Sequence, residues 1–558
     1  MSEKNLGGIM MQFQLTDSLE KVFPDKHPRI WTEKSASLFQ NEQYSFQIAY
    51  QHVGTEDSFV QLQAETDAVA ITLSHVKNVP SDLPAYPDRH DDNYLSIEPG
   101  LYPDLLEPIR ENKIKLQAGG WNAIWIDVQP KQQVSGEQLI KIKLLDEKGQ
   151  CLYEDAVNIF VYPYELPKQK LIHTEWFHGD CLADYYQVEV FSEKHWEILE
   201  NFIQAAGENG VNMLLTPIFT PPLDTEVGGE RTTIQLVQME YQNGKYIFDF
   251  SLLKRWLEIC ERHHIKYLEM AHLFTQWGAE FTPKIIVKED GKLTKKFGWH
   301  VKADSEEYQE FLQAFLPELT SFLKENWEVD KVYFHISDEP GEAQLSMYAK
   351  AKEMVIPYLT EFSIVDALSD YDFYEKGVVA KPIVASNHIQ PFIEHQVPGL
   401  WTYYCCSQNI DVSNRFMAMP SARNRIIATQ LFKYDIEGFL QWGFNFYNSQ
   451  FSKKAINPYE ITDAGKAFPS GDAFLVYPGE NGKAYPSIRL RVFYQALQDL
   501  RAFNWLATLS GKETVLSKIE KQGEITFSVY PKDGRYLFTL REEVNQAIIE
   551  SLKYEQIK

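Results

Sequence analysis

From about residue 170 the chain repeats one pattern. A short apolar run closes on polar residues, and a stretch with apolar residues at helical spacing follows. The runs fall at 171–176, 211–217, 266–272, 331–336, 362–367, 382–385, 400–404 and 438–442. After the first run, Trp196, Leu199, Ile203 and Ala206 share one helical face, and Asn209-Gly210 supplies a stop. Leu253, Trp256, Leu257 and Cys260 mark the next helix, and later ones are predicted near 305–325, 343–358, 421–435 and 487–505. Eight strand–helix units in about 330 residues predict a (β/α)8 barrel over 170–505. The competing open, doubly wound sheet lacks support, since no G-x-G-x-x-G follows a strand and no Walker A loop occurs.

The pattern before it is different. Val60-Leu62-Ala64, Val69-Ile71-Leu73, Ile124-Ile126-Val128, Ile140-Ile142-Leu144 and Val157-Ile159-Val161 alternate with polar or outward-facing residues. Turn chemistry separates them at Pro80-Ser81, Pro99-Gly100, Gly119-Gly120 and Lys148-Gly149. Short strands with little helical signal predict a β-sandwich over 10–165, and Pro163 to Pro167 read as a stiff linker. Residues 506–558 are expected to form a small α/β appendage on the barrel. It would hold a strand pair near 525–530 and 536–540, then a helix bearing Val544, Ile548 and Leu552.

Charge removes one class of partner. The balance is 54 − 78 = −24, with no clear basic block, which is a poor match to nucleic acid or an anionic membrane surface. Five scattered cysteines give neither a disulfide framework nor a C-x-x-C pair, and Cys405-Cys406 are expected to sit in a buried strand. The N-terminal residues lack the apolar core of a signal peptide, and no run of 18 apolar residues occurs, so a soluble, cytoplasmic protein is expected.

In a barrel of this kind the chemistry sits where strands end. His178 and Asp180 follow the first run; His272, Gln276 and Trp277 end or follow the third. The fourth ends His335-Ile336-Ser337-Asp338-Glu339-Pro340. Asp366 ends the fifth, Asn387-His388 the sixth, and Trp401, Tyr403 and Tyr404 lie in the seventh. Gln441, Trp442, Asn445 and Tyr447 close the eighth. Rings beside carboxylates and amides suit sugars, whose C–H faces stack while their hydroxyls need donors and acceptors. His178, Asp180 and Asn387 are candidates for the contact that separates an axial from an equatorial 4-hydroxyl. Asp338-Glu339 is the sharpest feature, because adjacent carboxylates in one pocket can hold different protonation states. Each of the others also has a plainer reading. His335 on an apolar strand serves as a core histidine or a brace for Asp338, and Trp277 and Trp401 as packing or platform. His263-His264 reads as a helix cap rather than a metal site, and no spacing suggests zinc or calcium. No cofactor is expected.

The segments KVYFHISDEP, LWTYYCC and GFLQWGFNFY resemble the catalytic domain of glycoside hydrolase family 123, over most of 120–505. The resemblance implies a β-sandwich ahead of a (β/α)8 barrel and a retaining exo-β-N-acetylgalactosaminidase. Its reaction would be substrate-assisted, the sugar's 2-acetamido oxygen attacking the anomeric carbon to give an oxazolinium-type intermediate. By the same resemblance Asp338 would orient the acetamido N–H, and Glu339 would protonate the leaving oxygen and then deprotonate water. Tyr403 or Tyr404 would hold the acetamido group, and Trp442 or Tyr447 the stacking wall; Tyr447 stands where such families often carry Trp. The implied partner is an oligosaccharide or a glycolipid headgroup. Two other readings stay open: a conventional retaining glycosidase whose nucleophile is Glu175, Glu269 or Asp366, and a non-catalytic carbohydrate-binding protein.

Overall fold

The structure, a computed structural model, describes residues 2–6, 9–111 and 113–557. In the N-terminal part, alternation builds two sheets. One has six strands in the order Ser2–Leu6, Ile9–Asp17, Tyr44–His52, Gly119–Pro130, Val69–Ser81, Gly100–Pro108, and the other has five. Both are antiparallel except where Ser35–Phe39 runs parallel to Cys151–Tyr162. Their inward residues, among them Phe13, Ile48, Ile124 and Ile126 from one sheet and Leu62, Ile142 and Ile159 from the other, share one core.

The eight apolar runs after residue 170 all become parallel strands. They are Ile172–Glu175, Met213–Thr216, Tyr267–Met270, Val332–Phe334, a split fifth (Ser363–Ile364 and Asp366–Ala367), Pro382–Ala385, Trp401–Tyr403 and Gly438–Gln441. Nine hydrogen-bonded segments result, with the first strand pairing both the second and the eighth. The fifth strand carries the closure: its first half pairs with the fourth strand and its second half with the sixth. The result is a nearly closed, TIM-type parallel barrel behind a sheet-rich N-terminal domain.

Helices cover it as their spacing predicts. Glu193–Glu208 is capped by Ser192, whose side chain accepts from His195 N, and buries Trp196, Leu199, Ile203 and Ala206. Gly210, with φ +83°, makes the stop. Glu306–Asn326, Leu345–Val355 and Ile488–Ser510 lie within a few residues of their predicted positions.

Two features depart from the sequence reading, and a third adds to it. An additional sheet of Gln238–Gln242, Lys245–Asp249, Ile285–Glu289 and Lys292–Phe297 stands outside the barrel, built from excursions on either side of the third strand. The 163–167 segment, read as a stiff linker, is also fastened to its neighbours: Leu166 is buried, its N–H donates to Asn41 Oδ1, and Arg501 donates to the carbonyls of Leu166 and Pro167. The tail has no strand pair among the described residues. Tyr536 to Leu540 belong to the helix Gly534–Ile557, because Leu537, Leu540, Val544 and Ile548 continue one buried helical face. That helix packs on Ile488–Ser510 and reaches the N-terminal sheet, where Asn545 Nδ2 donates to Ser37 Oγ at 2.9 Å.

The N-terminal domain is tied to the barrel by buried ions. Asp104 accepts from Arg489 Nε at 2.8 Å and from the Tyr477 hydroxyl at 2.6 Å. No helix among the described residues is long and apolar enough to cross a membrane.

Candidate active site

A cleft of about 690 Å³ opens at the C-terminal ends of the barrel strands. Trp176, Asp224, Gln276, Trp277, Asp338, Glu339, Tyr403, Cys405, Cys406, Trp442 and Phe468 line it, with Leu223, Ala367 and Leu440 as apolar filling.

Asp338 and Glu339 stand just past the fourth strand. The chain there is held by its neighbour: Leu273 N donates to His335 O, Phe274 N to Ile336 O and Trp277 N to Asp338 O, the last at 2.8 Å. Ser337 Oγ adds a bond to Thr275 O at 2.8 Å. Glu339 then takes a left-handed backbone, φ +43°, costly for a residue with a Cβ and tolerated because Pro340 and these bonds fix the turn. The turn sends two successive carboxylates into one cleft. Asp338 is half-buried and Glu339 exposed. Burial first, then the adjacent Glu339, push the Asp338 carboxyl well above the usual range. Glu339 Oε1 accepts the Tyr403 hydroxyl at 2.6 Å. Burial and that carboxylate keep the Tyr403 phenol protonated.

Beneath the pair lies a buried relay. His335 is fully buried, its Nε2 2.5 Å from Glu269 and its Nδ1 3.2 Å from Asp366. Burial alone would lower its pKa, but the two carboxylates outweigh that and push it up to about 10, so the ring is an imidazolium at neutral pH. Glu269 also accepts from Thr174 Oγ1 at 2.6 Å and from Trp176 Nε1 at 2.9 Å; Asp366 accepts from Ile336 N and the Tyr348 hydroxyl. His335 thus anchors the Trp176 wall from below. His272 stacks on it at 4.2 Å, fully buried, with both ring nitrogens lacking a hydrogen-bond partner.

His272, His335 and Asp366 bring three possible ligand atoms within 4.8 Å of one another. The fit is poor: both His335 nitrogens already bond carboxylates, and the two rings lie face to face at 18° rather than converging on a point.

Several residues placed in the site by sequence reading do other work. His178 Nε2 donates to Trp442 O at 2.8 Å and its Nδ1 accepts from Arg231 Nη2 at 2.9 Å, which fixes a neutral ring. Burial and Arg231 lower its pKa to about 3. Asp180 is buried and doubly bonded by Arg231, at 2.8 Å each, and does not line the cleft. Asn445 exchanges two bonds with the His178 backbone. Trp401 and Tyr404 are buried within the barrel packing, against Tyr333 and Phe439. Tyr447 is buried and donates to Val476 O at 2.7 Å, so it cannot form the stacking wall. Asn387 and His388 are exposed outside the cleft, where Asn387 accepts from Gln408. His263 caps its helix and bonds Glu200 at 3.0 Å. The cysteine pair is not in a strand at all; it lines the cleft.

The three nucleophile candidates are saturated below the cleft. Glu175 is fully buried between His173 at 3.0 Å and Arg415 at 2.6 Å, and Glu269 and Asp366 are the His335 partners.

Two carboxylates escaped the sequence reading. Asp224 lines the cleft, accepts Phe451 N at 2.9 Å, and is pushed by burial up to about 6. It follows the second strand, in a Pro-Pro-Leu-Asp loop that was the available signal. Asp472 holds the Trp442 wall through Nε1 at 2.9 Å, with its own pKa raised by burial to about 7. It lies some thirty residues beyond the eighth strand, with no local mark.

Residues 176–506, more than half of the chain, match the family model described as glycoside hydrolase 123, catalytic domain. No curated protein matches the chain. A solved family 123 glycoside hydrolase from Clostridium perfringens, studied for glycolipid glycan hydrolysis, is similar at TM-score 0.73 and 14% identity, covering 98% of this chain and 100% of that one. A family 5 mannosidase from Rhizomucor miehei aligns at TM-score 0.33 and 12% identity, covering 61% and 95%, too loosely to bear on the site. At its sequence distance the clostridial enzyme speaks for the fold alone, while the family match rests on the chain's own residues: this chain belongs to glycoside hydrolase family 123.

Proposed function

We propose that the protein is a retaining exo-β-N-acetylgalactosaminidase that uses its substrate's acetamido group as the nucleophile, acting on oligosaccharides or glycolipid headgroups. One observation carries the reading. Asp338 and Glu339 share the cleft, whereas Glu175, Glu269 and Asp366 are buried beneath it and fully bonded.

In the free enzyme Asp338 retains a proton to higher pH than an ordinary carboxyl. An acetamido N–H donated to Asp338 favours its ionised form, and the proton passes to Glu339. Glu339 then protonates the leaving oxygen as the acetamido oxygen closes on the anomeric carbon, and Asp338 stabilises the positive ring that forms. Water, deprotonated by Glu339, opens that ring with retention. Tyr403 steadies Glu339 through both steps, and Trp442, held by Asp472, offers the stacking face.

Asp224 favours a second reading, as the one further carboxylate lining the cleft among the described residues, with a protein nucleophile in place of the acetamido oxygen. Hydrolysis of chromogenic β-linked N-acetylgalactosaminide, N-acetylglucosaminide and plain galactoside separates the two. Turnover of N-acetyl sugars alone, lost on the order of a hundredfold or more in Glu339→Gln and Asp338→Asn, is the expected result. Turnover of the plain galactoside, abolished by Asp224→Asn, would install the second reading. Sugar binding without turnover would instead make the protein a lectin-like member of the family.

A further inference from the structure

Beyond the seventh strand the chain turns through Cys405 and Cys406, both half-buried and both in the cleft wall beside Glu339 and Trp442. The adjacent Cys406 thiol, together with burial, pushes the Cys405 thiol well above its ordinary range, and Cys406 Sγ lies 4.0 Å from Ser407 Oγ. None of the other cysteines adjoins a second one in sequence: Cys181 and Cys260 are buried, and Cys151 lies in the N-terminal sheet.

The peptide joining the pair is pinned. Cys405 N donates to Gln408 Oε1 at 2.8 Å, and its carbonyl accepts from Asn414 Nδ2 at 2.9 Å and Gln408 N at 3.1 Å. The Cys406 carbonyl accepts from Asn409 Nδ2 at 2.8 Å. Sequence neighbours on a trans peptide have Cα atoms about 3.8 Å apart, below the ~4.4 Å at which disulfides begin. Direct S–S closure would therefore twist a peptide whose carbonyl two hydrogen bonds hold and whose flanking peptides two more fasten. A ligand that sets one atom between the two sulfurs spans a larger gap and leaves the peptide alone.

We propose that Cys405 and Cys406 form a dithiol site for thiophilic ligands that bond two sulfurs, of the class of trivalent organoarsenicals, and that an occupant closes the sugar cleft. With an arsenoxide two As–S bonds form, the As–O bonds break, and the oxygen leaves with both thiol protons as one water; arsenic remains trivalent and nothing is oxidised. The binding stands apart from the sugar reading, while closure of the cleft rests on it.

The probe is phenylarsine oxide on the full chain, read by intact mass spectrometry. The expected product is a single phenylarsenic adduct, removed by 2,3-dimercaptopropanol but not by a monothiol. Cys405→Ser and Cys406→Ser, checked for native thermal unfolding, should each weaken the adduct by about a hundredfold, since one bond replaces two. Cys151→Ser should change nothing. Glu339→Gln should still take the adduct, so a failure of the hydrolase reading leaves this result intact. Saturating N-acetylgalactosamine, with its own binding followed by tryptophan fluorescence, should slow adduct formation. No adduct, an adduct that survives either serine change, or ready formation of a 405–406 disulfide with hydrogen peroxide would overturn the site. A bound sugar that gives no protection would overturn the closure.

Discussion

The Tyr403 hydroxyl donates to Glu339 Oε1 at 2.6 Å, joining the end of the seventh strand to the end of the fourth. A hydrogen bond to an ionised partner is worth about 1.5–3 kcal/mol. It also aims a carboxylate that sits on a strained, exposed turn. Tyr403→Phe should therefore lower kcat by about tenfold or more with little change in KM. A rise in KM at constant kcat would show instead that the phenol binds sugar directly.

Asp338 couples activity to stability. Its folded pKa is raised, so its contribution to stability is fully present below the unfolded value near 4 and is lost as pH climbs through the folded value. At neutral pH the carboxylate is a liability to the fold. Asp338→Asn should raise unfolding stability at pH 7 relative to wild type, while activity falls. Denaturant titrations at pH 4 and pH 7 check this: the gain should vanish at the lower pH.

His335 works in the same direction with a different result. Its folded pKa of about 10 exceeds the unfolded 6.5, so its stabilisation is whole below pH 6.5 and disappears as pH rises toward 10. His335→Gln removes the buried cation between Glu269 and Asp366, which should cost about 3–5 kcal/mol. The variant should also lack the part of the wild-type loss of stability between pH 6.5 and 10 that this ring supplies. Urea unfolding across that range measures both effects.

The barrel was legible because burial on both faces forces each strand into a short apolar run, and those runs are visible without partners. The Asp338-Glu339 pair was legible for a related reason: two adjacent acids closing the buried run Val332 to Ser337 have no place in a core. What the sequence hid was who bonds to whom. His178 and Asp180 look like sugar ligands until Arg231, about fifty residues away, takes both. Tyr447 and Trp442 are five residues apart on similar chain, yet one donates into the fold and the other to Asp472 at the cleft. The tail misled because Tyr536 to Leu540 is too short a window to separate a strand from the first turn of a helix.

Arg231 also fixes what Asp180 does. Since both Asp180 oxygens accept from the guanidinium, Asp180→Asn should leave the ratio of galacto to gluco turnover within about twofold and act on folding. The loss should be on the order of 3 kcal/mol, because the Arg231 cation stays buried without its counter-charge. Rates on the two N-acetyl sugars, beside a denaturant curve, test this. A selective change in that ratio would return Asp180 to the sugar.

Trp277 is the ring most available to a substrate's leaving group. It is 41% exposed, lines the cleft, and meets Phe451 edge-on at 5.9 Å. Its backbone is left-handed, φ +59°, and its N–H is spent on the Asp338 carbonyl, so the fold accepts strain to hold this ring beside the catalytic turn. A ring held so, but contributing little to the core, fits a platform for what lies beyond the cleaved bond. Aromatic stacking of about 1 kcal/mol corresponds to roughly a fivefold change in binding. Trp277→Ala should raise KM by about that factor on substrates with an extended aglycone. A small chromogenic leaving group should feel less of it, and Trp277→Phe should recover part of the loss. Equal losses on both substrates, all of them in kcat, would mean that the ring only positions Asp338 through their shared backbone bond.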